Sequence, residues 1–584
     1  MDATSADVVA QARAWLDDDD DAVTRAELRA LLDAAHDAAG RAALTERFAG
    51  PLEFGTAGLR GVLGAGESRM NRVVVRRVTA GLATYLRATV PDAAARGVVI
   101  GYDGRRMSRE FADDAARVLA GAGVRAHLAP RGWPTPTTAW MVTTLGAAGG
   151  IMITASHNPP EYNGYKVYWE HGAQITPPHD IGIAAAAAAA PRARALELPS
   201  LDEARRRGLL VDLIEADHAR YVDQVLAARQ PAADTRPLTV AYTPLHGVGA
   251  PSVEEAFARG RVGELTSEPS QRQPDGEFPT VAFPNPEEPG AMDRVLALAA
   301  RTGADLVLAN DPDADRLCVA IPGDDGYRVL SGDQVGALLA DYLLAVTDAT
   351  RPRLVATTIV SSQLLAHLAA AAGVAYRETL TGFKWIANAA IAWERETGGA
   401  FVMGYEEALG YTVGSLVRDK DGVSAAVALA DLARWNRARG RTIAAHLDDI
   451  YRRVGLFLTQ SVSWNLPGAA GLATIRDAMA RFRAAPPSAL AGVAVTRTRD
   501  LATPGEHGLP TSDVLTYWLA DGSRVIMRPS GTEPKLKSYY EVRVTIGDGE
   551  STAAATARGQ TALAALQAAH QAQLKGQPAA ATKG

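Results

Sequence analysis

Gly149-Gly150-Ile151-Met152-Ile153-Thr154-Ala155-Ser156-His157-Asn158-Pro159-Pro160 runs from a short apolar stretch into a polar loop. Glycine, isoleucine and methionine without a charge suit a buried strand, and Ser-His-Asn-Pro-Pro suits the turn that leaves it. Downstream, Tyr162-Asn163-Gly164 signals a turn, and Tyr165-Lys166-Val167-Tyr168-Trp169 alternates as a second strand. Ser156 therefore sits at the mouth of a strand, beside His157 and a few residues before Lys166. Taken alone, the segment reads equally well as turn chemistry or as a nucleophile loop.

Working outward, the same design recurs. Strand-like Arg96–Asp103, Arg236–Thr243 and Arg353–Val360 each precede a second apolar strand that ends in a polar loop. Those second strands are Gly150–Ile153 into Ser156, Ala304–Ala309 into Asp311, and Gly399–Met403 into Glu406-Glu407. Helical stretches such as Asp113–Ala122 and Ser362–Ala372 lie between them. This alternation predicts α/β units with parallel or mixed sheets, whose ligands sit outside the carboxyl ends of strands. Residues 1–50 read as helices around Trp15, Leu28, Leu31 and Leu32. The alanine run Ala184–Ala190 reads as helix without chemistry. From about 456 the pattern becomes a smaller α+β unit, followed by an Ala/Gln helix from about 551 and a frayed tail at Gln577–Gly584.

The 584 residues exceed one core and suggest roughly three to five domains. Apolar residues at 47% and charged residues at 22% are ordinary for a globular protein, and a net charge of −6 leaves no basic footprint for nucleic acid. Affinity for phosphate must then be local. Cys318 is the single cysteine, which excludes an intrachain disulfide and a cysteine zinc site and suits a cytoplasmic protein. The uncharged stretch Gly132–Ser156 contains Pro134, Pro136 and several threonines and glycines, which argues against a membrane span. The N-terminus runs into the acidic cluster Asp17–Asp21 and carries no secretory signal pattern.

Four loops carry chemistry. Asp311-Pro312-Asp313-Ala314-Asp315-Arg316 places three carboxylates at alternate positions, a repulsion that a hard cation such as Mg²⁺ resolves. A calcium EF-hand loop fails here, because Arg316 stands where that loop needs glycine and Pro322 where it needs glutamate. A solvated acidic turn is the alternative. Gly404-Tyr405-Glu406-Glu407-Ala408-Leu409-Gly410 offers two carboxylates that accept from sugar hydroxyls, or a solvated turn. Arg528-Pro529-Ser530-Gly531-Thr532 suits a phosphate dianion. Phe54–Gly61 is a glycine-rich loop in which Arg60 can add a bidentate anion contact. No Walker A loop or kinase signature points to a nucleotide donor. A serine that itself carries the phosphoryl group beside a metal fits the whole set.

These loops, with Gly101-Tyr102-Asp103-Gly104-Arg105, resemble the α-D-phosphohexomutases in order and over residues 50 to 545. Thr381-Gly382-Phe383-Lys384-Trp385 and Gly404–Gly410 look closest to the phosphoglucomutase/phosphopentomutase branch. The resemblance implies a heart-shaped, four-domain α/β architecture with three similar mixed α/β domains and a smaller C-terminal α+β domain. Its boundaries would be an N-terminal extension at 1–50, domains at 51–212, 213–325, 326–455 and 456–550, and a C-terminal helix and tail at 551–584.

It further implies a Mg²⁺-dependent mutase of hexose 1- and 6-phosphates, glucose first, with mannose or a pentose as alternatives. Ser156 would be the phosphoserine, and the metal ligands Asp311, Asp313, Asp315 and a phosphoserine oxygen. His157 and Lys166 would stand beside the serine, and Arg60 and Arg316 would steady the transferring charge. His246, Lys384, Glu406, Glu407, Arg528, Ser530, Gly531 and Thr532 would bind substrate. A sugar bisphosphate such as glucose 1,6-bisphosphate would be the activator. Partners would be small sugar phosphates, not nucleic acid or membrane, with the chain a monomer or homodimer. One departure stands out: many members have a serine shortly after the sugar-binding glutamate, where this chain has Ala408 and an extra residue, Leu409. A phosphatase using an aspartate of 311–315 would leave Ser156 idle, and a non-catalytic binder would leave both the serine and the aspartates idle.

Overall fold

The computed structural model describes all residues except 1–2, 56–57, 231–233, 235, 467, 506–507, 531–534 and 577–584. The tail expected at Gln577–Gly584 therefore lies outside the described residues. The chain forms two compact units, one comprising residues 1–332, 382–392 and 403–438, the other 333–381, 393–402 and 439–584.

In the first unit, three helices, Ala3–Asp18, Ala22–Ala34 and Ala38–Arg47, form the N-terminal extension. Trp15 meets Phe48 edge-on at 6.0 Å, and Val8, Ala12, Leu28 and Leu44 join them in one cluster with Val73 of the helix Arg72–Thr89. The acidic run is consumed here. Asp18 accepts the N–H groups of Ala193 and Arg194 at 3.0 and 2.9 Å, Asp20 pairs with buried Arg76 at 2.7 Å, and Asp21 caps the second helix.

The first sheet has six strands in the order Leu59–Val62, Tyr162–Trp169, Gly149–Ile153, Val98–Tyr102, Ala126–Leu128 and Leu210–Asp212. Its last three neighbour pairs are parallel and its first two antiparallel, so the sheet is mixed. Gly149–Ile153 is buried at every residue, as an uncharged run between two neighbouring strands must be. The stretch Gly132–Ser156 becomes the helix Thr135–Thr144 and this strand, and among the described residues no helix is long and apolar enough to cross a membrane. The second sheet runs Gly326–Val329, Cys318–Gly323, Leu306–Ala309, Thr239–Thr243, Glu264–Ser267, again mixed.

A third sheet runs Ala375–Thr379, Arg353–Thr358, Ala400–Glu406, Gly410–Val413. Its last two strands form a hairpin in register from Met403↔Val413 to Glu406↔Gly410. In the second unit, an antiparallel six-stranded sheet runs Leu456–Asn465, Lys535–Val544, Arg524–Pro529, Leu515–Leu519, Val493–Asp500, Ala489–Leu490. The C-terminal helix Thr552–Leu574 packs on it through Gly559, where a Cβ would lie 2.6 Å from Leu458 and 2.9 Å from Val544.

Candidate active site

Three loops of the first unit leave the carboxyl ends of the strands Gly149–Ile153, Leu306–Ala309 and Ala400–Glu406. Ser156 is fully buried, with φ of 54°. A serine in the left-handed region needs its neighbours to hold it there. Its N–H donates to Thr154 Oγ1 at 2.8 Å, and Arg105 donates to its carbonyl at 2.6 Å and to those of Pro159 and Tyr162 at 2.9 and 3.2 Å. Arg105 is itself buried beside Asp103, which accepts its N–H at 3.0 Å.

Ser156 Oγ donates to Asp311 Oδ2 at 2.7 Å and lies 3.1 Å from His157 Nδ1. Asp311, Asp313 and Asp315 are all buried and bring carboxylate oxygens within 4.8 Å of one another. Lys166, reaching in from its strand, donates to Asp313 Oδ2 at 2.7 Å and Asp315 Oδ2 at 2.9 Å. Thr135 gives Asp313 Oδ2 a further bond at 2.6 Å, and Lys420 stands 3.2 Å from Asp315 Oδ2.

The charges are unevenly shared. Burial, then Asp313 and Asp315, push Asp311 well above the carboxylate range. Burial and Asp315 press Asp313 the same way, but Lys166 outweighs them and holds it below that range. For Asp315, Lys166 and Lys420 together outweigh burial. Burial lowers the Lys166 ammonium, yet Asp313 and Asp315 raise it overall, so this lysine is held protonated. His157 is driven well below its usual value by burial, then by Arg316 and Arg60, and is a neutral imidazole.

The carboxylates fit a hard divalent cation. Asp313 Oδ1 and Asp315 Oδ1 are buried with no hydrogen-bond partner among the described residues, and two orphaned anionic oxygens in so small a space call for a cation. The guanidinium groups of Arg60 and Arg316 likewise keep a buried Nε without a hydrogen-bond partner among the described residues, that of Arg316 standing 3.9 and 3.8 Å from Asp311 and Asp315, which suits an incoming phosphoryl oxygen. Arg60 also donates to Asn158 Oδ1 at 3.1 Å, which ties it to the serine loop.

The hairpin tip carrying Glu406 and Glu407 is fastened to the metal loop. Arg316 donates to Ala408 O at 3.0 Å, and Leu317 N–H to Leu409 O at 3.0 Å. The extra residue Leu409 takes φ of 61° and turns the chain back into the register Glu406↔Gly410. Glu406 Oε1 accepts the Gly382 N–H at 2.8 Å, and burial raises its carboxyl despite Lys420.

Other expected residues have different settings. His246 is buried, bonded at 2.8 Å to Thr280 Oγ1, with its N–H on Gln271 O at 2.8 Å. Its loop braces the metal loop, with Val248 N–H donating to Pro312 O at 2.9 Å. Lys384 Nζ lies 3.5 Å from Gly55 O, and burial lowers its ammonium. In the second unit, Arg528 ends the strand Arg524–Pro529 with a buried Nε lacking a partner among the described residues, and Ser530 N–H donates to Lys535 O at 2.7 Å. Gly531 and Thr532 lie outside the described residues.

Sequence reasoning missed Arg105 as the clamp of the serine loop, Thr135 as a partner of Asp313, and Lys420. Lys420 is fixed by Asp419, whose Oδ2 accepts from Tyr168 at 2.8 Å and Gln174 at 2.6 Å. The available signal was Arg418-Asp419-Lys420-Asp421-Gly422, an alternation of charges too dense for an idle turn.

Family profiles match the chain in order: "Phosphoglucomutase/phosphomannomutase, alpha/beta/alpha domain I" at residues 51–193, domain II at 219–324, domain III at 331–454, and the C-terminal domain at 477–558. A probable phosphoribomutase of Schizosaccharomyces pombe is 38% identical, covering 91% of this chain and 92% of its own. A probable phosphomannomutase of Haemophilus influenzae is 39% identical over 81% and 93%, and a human phosphopentomutase 35% over 87% of each. Among solved structures, pp63/parafusin, a phosphoglucomutase from Paramecium in an open form, shares the fold at a TM-score of 0.69 and 18% identity, covering 92% of this chain and 97% of that one.

Proposed function

The chain belongs to the phosphoglucomutase/phosphomannomutase family and is an isomerase of the phosphomutase kind, and we propose that Ser156 carries the phosphoryl group it moves. The reaction would interconvert the 1-phosphate and the terminal phosphate of an aldose through a sugar bisphosphate. The observation that carries this reading is Ser156 Oγ, 2.7 Å from Asp311 Oδ2 at the edge of a buried triple-carboxylate cluster.

In the forward transfer the P–Oγ bond of phosphoserine breaks as a bond to a sugar oxygen forms, and the proton lost by that hydroxyl is balanced by the one that Ser156 Oγ gains. In the return transfer Ser156 Oγ takes the other phosphoryl group as that group's bond to its sugar oxygen breaks, and the proton that the serine must lose is balanced by the one the released sugar oxygen gains. Neutral His157, with Nδ1 at 3.1 Å, is the acceptor that the site offers besides the metal-ligating Asp311. Lys166, held protonated, serves as fixed positive charge together with Arg60 and Arg316. Mg²⁺ held by Asp311, Asp313, Asp315 and a phosphoserine oxygen would supply Lewis-acid stabilisation of phosphoryl charge. Glu406 and Glu407 would accept sugar hydroxyls, His246 and Lys384 would also bind substrate, and Arg528, Ser530, Gly531 and Thr532 would hold the phosphate that stays. A sugar bisphosphate such as glucose 1,6-bisphosphate would restore phosphoserine after a lost turnover.

Glucose is the first sugar to test. The rebuilt tip at Ala408-Leu409, together with relatives named for ribose and pentose phosphates, favours pentose 1- and 5-phosphates as a second reading. The deciding assay compares initial rates on glucose, mannose, N-acetylglucosamine and ribose 1-phosphates with catalytic bisphosphate, alongside the intact mass of the protein. Turnover of one of them with phosphate on Ser156, and none in Ser156→Ala, is the expected result. Phosphate trapped on an aspartate of 311–315 would overturn the reading in favour of a phosphatase.

A further inference from the structure

We propose that the first unit holds a second small-molecule site, between the N-terminal extension and the first domain, that takes an organic cation with a planar apolar body. The site is a cavity of about 520 Å³, inside the range of about 300–1,000 Å³ typical of small-ligand pockets. Trp15 of the helix Ala3–Asp18, Leu52 and Phe54 of the segment before the first strand, and Val74 and Val78 of the helix Arg72–Thr89 give it apolar walls. The remaining wall is the helix His179–Ala188, where Ala184 and Ala187 leave the space open. The alanine run thereby acquires a consequence that composition alone did not suggest. None of the residues assigned to phosphoryl transfer lines this cavity, and the inference is independent of the proposed reaction.

Two observations select the occupant. Apolar walls of this size favour a ring body over a sugar. The charged groups lining the cavity are Glu53, Glu67 and Asp180 against the single base Arg77, an excess of acid that favours a cation and repels an anion. The exposed side chain of Ile181, at 66%, stands at the same wall and adds apolar surface for an entering ring.

The test titrates the full-length protein with thioflavin T, a planar aromatic cation whose fluorescence rises when it is held, and in parallel with the anionic dye ANS. Saturable binding of thioflavin T at one site per chain, with ANS weaker, is expected. Ala184→Trp fills the space from an exposed position and should weaken thioflavin T about tenfold or more, a loss of roughly 1.4 kcal/mol. Glu67→Gln should weaken it by roughly two- to fivefold, and 0.5 M salt should weaken binding to the native protein enough to abolish that difference. If Ala184→Trp does not fold, as judged by circular dichroism, the glutamine variant and the salt series decide. No saturable binding, equal affinity for the two dyes, or affinity unchanged in the folded variants would overturn the proposal.

Discussion

Replacing Lys166 by methionine removes one ammonium group from a buried cluster while keeping its apolar stem. Lys166 is 1% exposed and bonds two carboxylates, at 2.7 and 2.9 Å. Asp315 would retain Lys420 at 3.2 Å, whereas Asp313 would keep only Thr135 at 2.6 Å. Removing one partner of a buried pair costs about 3–5 kcal/mol because the other charge is stranded. The residual partners place this case near the lower end. For a domain of 150–250 residues each kcal/mol moves the melting midpoint by about 2–4 °C, so the loss in EDTA should be roughly 6 °C or more. Adding Mg²⁺ should recover much of it, since a ligand at one hundred times its dissociation constant stabilises by about 2.7 kcal/mol. The shift on adding Mg²⁺ should also be larger in Lys166→Met than in the native protein, where the ammonium group and the ion compete for the same anions. Scanning fluorimetry at fixed pH with EDTA or Mg²⁺ measures all four midpoints. Equal losses with and without Mg²⁺ would refute the claim that the lysine and a metal share the three aspartates.

Gly247→Ala puts a Cβ 2.4 Å from the backbone of Pro312, so the metal loop must shift, and a displacement near 1 Å should cost up to about 100-fold in kcat, measured under saturating Mg²⁺. His570 is fully buried against Tyr540 and held down to about 4 by burial, so the unfolded chain takes up its proton first as pH falls. Stability is thus complete above about 6.5 and is lost progressively toward pH 4, by about 3 kcal/mol in total; melting of the second unit from pH 7 to 4 should show this slope, and His570→Leu should flatten it. Cys318 is buried with its thiol pushed up to about 12 by burial, so a disulfide thiol reagent should label it only after unfolding in urea.

The legible parts of the molecule were those written in consecutive residues. Gly149–Ile153, Leu306–Ala309 and Ala400–Glu406 announce buried strands because each is an apolar run that stops at a polar loop. The three aspartates are legible for the same reason, since their mutual repulsion is visible at alternate positions. What was hidden depends on partners remote in sequence. Thr135 meets Asp313, and Tyr168 meets Asp419, only because the fold brings their elements together. Nothing near Thr135 distinguishes it from the other threonines of its helix. The run Asp17–Asp21 likewise meets partners that its own residues do not name: Asp18, Asp20 and Asp21 each hold a specific helix end or arginine.

The backbone shows why the loops must be fastened so firmly. Ser156, Leu245, His246, Ala314 and Leu409 all take positive φ although none is glycine, and all lie in the serine loop, the metal loop, its brace or the sugar hairpin. Each such conformation costs about 1–2 kcal/mol, so none would persist in a free loop. Arg105 holds the first by its carbonyl, the Gly247–Val248 turn packs against Pro312, and Arg316 with Leu317 holds the hairpin tip. Arg316 thereby does two things at once. Its backbone N–H caps Asp311 at 3.1 Å, and its guanidinium ties the tip carrying Glu406 to the metal loop. A change of metal occupancy at the aspartates would therefore be felt at the residues offered to the sugar. Sugar choice and metal binding should be coupled in this chain through Arg316, and Arg316→Lys, which keeps the charge but loses the reach to Ala408, should alter the ratio of glucose to ribose 1-phosphate rates as well as the Mg²⁺ requirement. An unchanged ratio with a changed Mg²⁺ requirement would show that the tip holds its shape without the arginine.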